Sequence, residues 1–173
     1  MLGQAISDTP LVDKQENLST ATTEQAKQLL SRVTESYSSQ NAGHNRYATL
    51  SANTGELNSL ITLASRAIPA LRGNAKITDL GIEYGFSLAL PSNPLGRYFS
   101  FSGQVPANPH GLSLGVLRIG ALELPAGVIN YAAEELLNLA SGEDQGTLLF
   151  ASVKALSTAG DIAILHTEPP RDL

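Results

Sequence analysis

Residues 51–104 read SANTGELNSLITLASRAIPALRGNAKITDLGIEYGFSLALPSNPLGRYFSFSGQ, and this stretch decides the fold. Within Ala52–Ile68 the apolar residues Leu57, Leu60, Ile61, Ala64 and Ile68 share one helical stripe at i, i+3, i+4, i+7 and i+11. Thr62, Ser65 and Arg66 fall largely outside it. Asn53 is an N-cap candidate, with Glu56 placed to reach back to the cap's own N–H, and Ser51 competes with it. Pro69 ends the helix, because it has no N–H and disfavours helical backbone at Ile68.

The alternation then changes from helical to strand spacing. In Gly81–Leu90 the residues Ile82, Tyr84, Phe86, Leu88 and Leu90 point one way, while Glu83, Gly85, Ser87 and Ala89 point the other. The turn-forming run Pro91–Gly96 follows, and then Phe99, Phe101, Gly103 and Val105 alternate with Tyr98, Ser100, Ser102 and Gln104. Two alternating runs across a short polar loop predict an antiparallel pair with one apolar face. That face needs a cover, and the Leu57–Ile68 stripe is the nearest candidate. Each large side chain buried there contributes roughly 1.5–3 kcal/mol, so this contact is expected to dominate the core.

Working outward, residues 1–18 carry no periodicity and are expected to be an extended or disordered lead-in. Helix signals start at Thr22-Thr23-Glu24-Gln25, with Ala26, Leu29, Leu30 and Val33 as a stripe reaching toward Tyr37 and a stop at Ser38–Gly43. Arg46–Leu50 predicts a short strand, and Ala75–Leu80 another that bends at Asp79–Gly81 into the Ile82 run. Leu112–Ile119 predicts a strand whose pattern drifts, as a bulge near Gly115 would make it. Ala121–Leu124 continues it past Gly120. Pro125 opens a helix over 126–140 with Val128, Ile129, Ala132, Leu136, Leu139 and Ala140 inward and Gly142 as its left-handed cap. A helix over Asp144–Leu156 and a strand at Asp161–His166 complete the pattern, closed by Pro169-Pro170. The expectation is one α+β domain over 19–168 with a tail at 169–173. A curved antiparallel sheet of about five to seven strands packs on a long amphipathic helix, with further helices near both ends.

Composition narrows the function classes. Charged residues are 16% of the 173, below the usual quarter, but the apolar content is that of a folded core and not of a disordered chain. A net charge of −5 with scattered basic residues argues against nucleic acid as a partner. No cysteine is present, which removes disulfides, zinc–thiolate sites and cysteine catalysis. No uncharged apolar run is long enough to span a bilayer, and Met1–Ala5 is not the start of a signal peptide.

Gly111-Leu112-Ser113-Leu114-Gly115 matches the G-x-S-x-G nucleophile elbow, with Asp161 and His166 downstream in hydrolase order. The elbow requires strand, sharp turn and helix, whereas strand alternation runs through Ser113, so an outward strand position is the expectation. His44, His110 and His166 stand far apart, and Glu134-Glu135 and Glu143-Asp144 read as solvated helix surface. Asn17-Leu18-Ser19 is a formal glycosylation sequon without further support. No catalytic residue, metal site or cofactor is therefore expected. The positive feature is an apolar sheet face beside a helix, whose candidate ligand-lining residues are Leu60, Ile61, Tyr84, Phe86, Phe99 and Phe101.

Four blocks carry a resemblance: Leu50–Asn58, Ser87–Pro91, Asn93–Tyr98 and Leu117–Pro125. Together they resemble a family of uncharacterised proteobacterial envelope proteins, over roughly residues 20–168. The resemblance implies a periplasmic domain tied to the inner membrane by one N-terminal spanning helix, a segment absent from this chain, and it carries no catalytic residues. The order of a helix followed by antiparallel strands also resembles the tubular lipid-binding proteins, in which a curved sheet wraps a long helix. The function expected is a non-enzymatic envelope domain binding lipid or another apolar ligand between helix and sheet. The alternative is a protein–protein interaction or assembly module of the envelope.

Overall fold

The computed structural model describes residues 6–13, 19–41, 47–91, 96–120, 122–141 and 145–168. In chain order they form β1 (Ile6–Ser7), α1 (Thr20–Asn41), β2 (Ala48–Asn53), α2 (Thr54–Ala67), β3 (Leu71–Thr78), β4 (Gly81–Ala89) and β5 (Tyr98–Pro106). After these come β6 (Leu117–Ile119), β7 (Leu122–Leu124), α3 (Ala126–Ser141), α4 (Gln145–Ser152), β8 (Val153–Ala159) and β9 (Ile162–Thr167). The class is α+β, as the sequence predicts. The strands form two antiparallel sheets, one of six strands in the order β3-β4-β5-β6-β7 with β1 also on β5, and one of three in the order β2-β9-β8.

The start of α2 is set by the capping box. Asn53 Oδ1 accepts from the Glu56 N–H at 2.8 Å, and Glu56 Oε2 accepts from the Asn53 N–H at 3.0 Å. Ser51, the competing cap, stays in β2. The helix stops at Ala67, just before the Ile68–Pro69 pair. Its buried side differs from the expected stripe. Ser59 and Thr62 are its most deeply buried side chains, at 1% and 3% exposure, while Ala64 and Ile68 are exposed. The cause is α1, which packs along α2 through Thr22, Ala26 and Leu29; Ser59 donates to Gln25 Oε1 at 2.9 Å. Small hydroxylated side chains permit that close approach, and their polar atoms are hydrogen-bonded.

The other flank of α2 meets the free edge of β3. Asn58 Nδ2 donates to the Ala75 carbonyl at 2.9 Å while Asn58 Oδ1 accepts from the Ala75 N–H at 2.8 Å. Thr54 Oγ1 accepts from the Ile77 N–H at 3.1 Å. A side-chain amide thus stands in for a neighbouring strand and covers an edge that would otherwise be open. The helix sits at the margin of the six-stranded sheet, not over its middle.

Several boundaries differ from expectation. β3 begins at Leu71, and the chain reverses through Asp79-Leu80 into a hairpin where a bend was expected. Gly81 closes that hairpin at φ +135°, with the Val105 carbonyl where a side chain would stand. Only Leu117–Ile119 of the expected Leu112–Ile119 strand pairs; residues 112–116 are irregular, and the Gly115 N–H reaches the Gln104 carbonyl at 2.7 Å. α1 starts two residues before Thr22, with Ser19 Oγ accepting from the Thr22 N–H. The expected helix over Asp144–Leu156 ends at Ser152, and Val153 and Leu156 are buried on β8. On α3, Ile129 is buried but Val128 is 54% exposed. The side chains of Tyr37, Ala132, Leu136, Leu139, Ala140 and Leu149 lie outside those described. So do residues 1–5, 14–18, 42–46, 92–95, 121, 142–144 and 169–173 altogether. With them go the expectations placed on Asn17, Gly43, His44, Arg46, Ala121, Gly142, Glu143-Asp144, Pro169-Pro170 and the tail.

The core forms where the two sheets meet. Ile77, Leu156 and Ala163 are buried together, with Leu57, Ile82, Val105 and Leu165 packed around them. Beyond β1, the chain crosses the reverse face of the large sheet at Leu11 and Val12. Ile6 and Ser7 pair with β5, the Leu11 and Val12 N–H groups donate to the buried Ser87 Oγ, and Arg72 donates to the Asp13 carbonyl. Among the described residues no helix is long and apolar enough to cross a membrane.

Candidate ligand-binding face

The core face of the large sheet continues outward as a row of aromatic rings. Ile82 lies in the core, and Tyr84 and Phe86 follow it on the same side of β4. Phe86 is directly opposite Phe101 on β5, and Phe99 is two residues further along the same face. The Phe86 and Phe101 rings stack at 5.2 Å between centroids with 25° between planes. Tyr84 meets Phe86 at 6.1 Å, and Phe99 meets Phe101 at 6.3 Å, both tilted. These are the spacings at which aromatic quadrupoles attract. All four rings are only half-buried although they belong to the central strands.

On the β3 side the row is closed. Gly73 faces Phe86 across the ladder, and a side chain there would run into the Phe86 ring and come within 2.9 Å of Ile61 Cγ2. Ile61 and Phe86 therefore both border the space over Gly73, where helix and sheet meet without room for a side chain. Leu60 is half-buried on α2 one residue round from Ile61, a position that does not face the Gly73–Phe86 contact. Of the six candidate residues, Tyr84, Phe86, Phe99 and Phe101 form the row, Ile61 approaches it at Gly73, and Leu60 is half-buried on α2.

Tyr84 lies over Gly103, its Cζ 2.7 Å from where a Gly103 side chain would begin. Burial raises its phenol pKa above the ordinary 10.0 by disfavouring the phenolate. Below pH 10.0 the phenol is neutral in both folded and unfolded chains, and no stability is lost. As the pH rises through 10.0 the unfolded chain ionises first, so stability falls until the raised folded value is passed. Urea midpoints between about pH 9 and about pH 11 are expected to drop more steeply in the native sequence than in Tyr84→Phe. Parallel slopes would contradict this.

The opposite face of the same strands holds an open trough of about 620 Å³. Asn74 and Lys76 of β3, Glu83 of β4, Ser102 and Gln104 of β5 and Arg118 line it, over a floor at Gly85, with Leu11 and Val116 at its sides. Arg118 pairs with Glu123 at 3.5 Å, so the trough offers hydrogen-bonding groups of mixed sign. Sequence reasoning missed it, because its residues are the polar half of each alternation and form no motif. Of the expected ligand residues it includes Tyr84 alone.

Ser113 belongs to the irregular run 112–116, not to a strand as expected, and its Oγ accepts from Asn130 Nδ2 at 3.5 Å. His166 Nδ1 stands 3.4 Å from Thr49 Oγ1 on the small sheet, while Asp161 is in the turn before β9. Neither hydrogen bond links Ser113 to His166. Among the described residues no three His, Asp or Glu side chains gather as metal ligands. Neither a protein-family model, nor a curated protein, nor a solved structure matches this chain.

Proposed function

We propose that this domain is a non-enzymatic binding module that takes lipid or another apolar ligand on the aromatic face of its large sheet. One observation carries the proposal: Tyr84, Phe86, Phe101 and Phe99 form an unbroken row of rings that the protein itself leaves half-covered. Full burial of one such side chain contributes roughly 1.5–3 kcal/mol, so an apolar ligand completing the cover gains from each of them. Because Ile61 and Phe86 close the β3 side, the ligand lies along β4 and β5, beside α2 and not beneath it. The likeness to envelope proteins would put the module on the periplasmic side, attached to the inner membrane by a segment outside this chain.

A second reading, an assembly module of the envelope, draws on a different observation. Val128 and Tyr131 are 54% and 68% exposed and lie three residues apart on one side of α3, and Leu122 is 54% exposed on β7. Large apolar side chains exposed side by side, as Val128 and Tyr131 are on α3, mark contacts between proteins. Native mass spectrometry after gentle purification separates the two. Co-purifying lipid that is lost in Phe101→Ser is expected, whereas a lipid-free oligomer broken by Tyr131→Ser would replace the first reading by the second.

A further inference from the structure

We propose that the groove between α1 and β2 is a docking site for an extended peptide bearing a lysine or arginine, which adds to the small sheet as a fourth strand. β2 is an end strand of the order β2-β9-β8. The direction of its backbone groups follows from two contacts. The Asn53 N–H is turned to Glu56 Oε2, away from β9, whereas the Ala48 carbonyl faces β9 and accepts from Thr167 Oγ1 at 3.4 Å. Because N–H and C=O groups alternate sides along a strand, Thr49 and Ser51 turn theirs outward with Asn53. No described residue takes up those four groups.

The outward edge does not open on bulk solvent alone. It forms one wall of a groove of about 400 Å³, with Tyr47 at one end and Arg32, Glu35 and Ser36 of α1 on the opposite side. A slot between a free strand edge and a helix is the arrangement in which an extended chain gains main-chain hydrogen bonds on one side and side-chain contacts on the other. Five residues of β-chain span about 16 Å, which matches the Tyr47–Ser51 wall. Charge selects the occupant. Arg32 is already neutralised by Glu56. Among the described residues Glu35 accepts the Ser31 hydroxyl, at 2.8 Å, and has no cation beside it. The groove therefore presents one uncompensated carboxylate on a chain of net charge −5, and a basic side chain complements it.

The test uses two synthetic heptapeptides, Ser-Val-Lys-Val-Ser-Val-Gly and its glutamate counterpart with Lys replaced by Glu. Hydrogen exchange with millimolar lysine peptide is expected to slow at the Thr49 and Ser51 amides and to leave Ala48 and Leu50 unchanged. The lysine peptide is expected to bind about tenfold more tightly than the glutamate peptide, and Glu35→Lys to reverse that order. Glu35 is exposed, so this variant keeps the fold. Ser51→Pro removes one outward donor without touching the β2–β9 ladder and is expected to weaken binding by about the same factor. Absence of protection at Thr49 and Ser51 would overturn the proposal, as would a preference indifferent to Glu35→Lys. A concentration-dependent dimer that protects the same two amides without peptide would overturn it in favour of self-pairing.

Discussion

Asn58→Ala is expected to lower the unfolding free energy by about 3 kcal/mol, which is roughly 6–12 °C in Tm for a chain of this size. The side chain makes both hydrogen bonds that a neighbouring strand would make to Ala75, through Nδ2 to the carbonyl and Oδ1 from the N–H. Alanine deletes both and leaves the backbone groups of a nearly buried residue without partners. Each net hydrogen bond is worth about 1 kcal/mol, and each stranded buried group adds a desolvation penalty of about 1–3 kcal/mol that water at the new gap partly relieves. The Thr54 Oγ1 contact to the Ile77 N–H survives, so the helix stays docked at one point and the fold is retained. Urea denaturation measures the loss. A change below about 1 kcal/mol would show that α2 does not act as the missing strand of the sheet.

Gly73→Val is expected to cost a similar amount, about 2–3 kcal/mol, for the opposite reason. Here nothing is removed and there is no room to add. A side chain at Gly73 would overlap the Phe86 ring and approach Ile61 Cγ2 to 2.9 Å. Phe86 cannot swing aside freely because Phe101 is stacked on it at 5.2 Å. The strain thus passes along the aromatic row, so ligand uptake on that face should fall together with Tm. Gly127→Ala on α3, where a side chain meets open space, serves as the control and is expected to leave stability unchanged or slightly raised. Equal effects at both sites would mean that the row is not tightly seated against α2.

The parts of this molecule written in local patterns were legible from the sequence. The Asn53–Glu56 box fixed where α2 begins, and the alternation from Ile82 to Val105 fixed which residues of β4 and β5 share a face. Both depend on neighbours a few residues away. What escaped depended on the partner. Thr62 falls outside the apolar stripe of α2 and is nevertheless buried, because hydropathy cannot anticipate that α1 packs closely on small side chains, Ser59 among them. Asn58 carries no local signal, because its two bonds run to Ala75, 17 residues on. Val153 and Leu156, three residues apart, suit the helix that the sequence predicts over Asp144–Leu156. On β8 a register shift between Val153 and Ala155 hides the strand alternation. The candidate aromatic residues were correctly grouped by face, but where the helix would stand relative to them was decided by the β3 edge, which no spacing records.

The claim that the aromatic face holds an apolar ligand is tested most directly by a photoreactive fatty acid carrying a diazirine on its chain. After irradiation with the purified domain, the labelled peptides are located by mass spectrometry. Labelling confined to β4 and β5 around Phe86, Phe99 and Phe101, and lost in Phe101→Ser, is the result this account predicts. Labelling that falls instead around Asn74, Glu83 and Gln104 on the other face, or that never exceeds the level of unfolded protein, would contradict it.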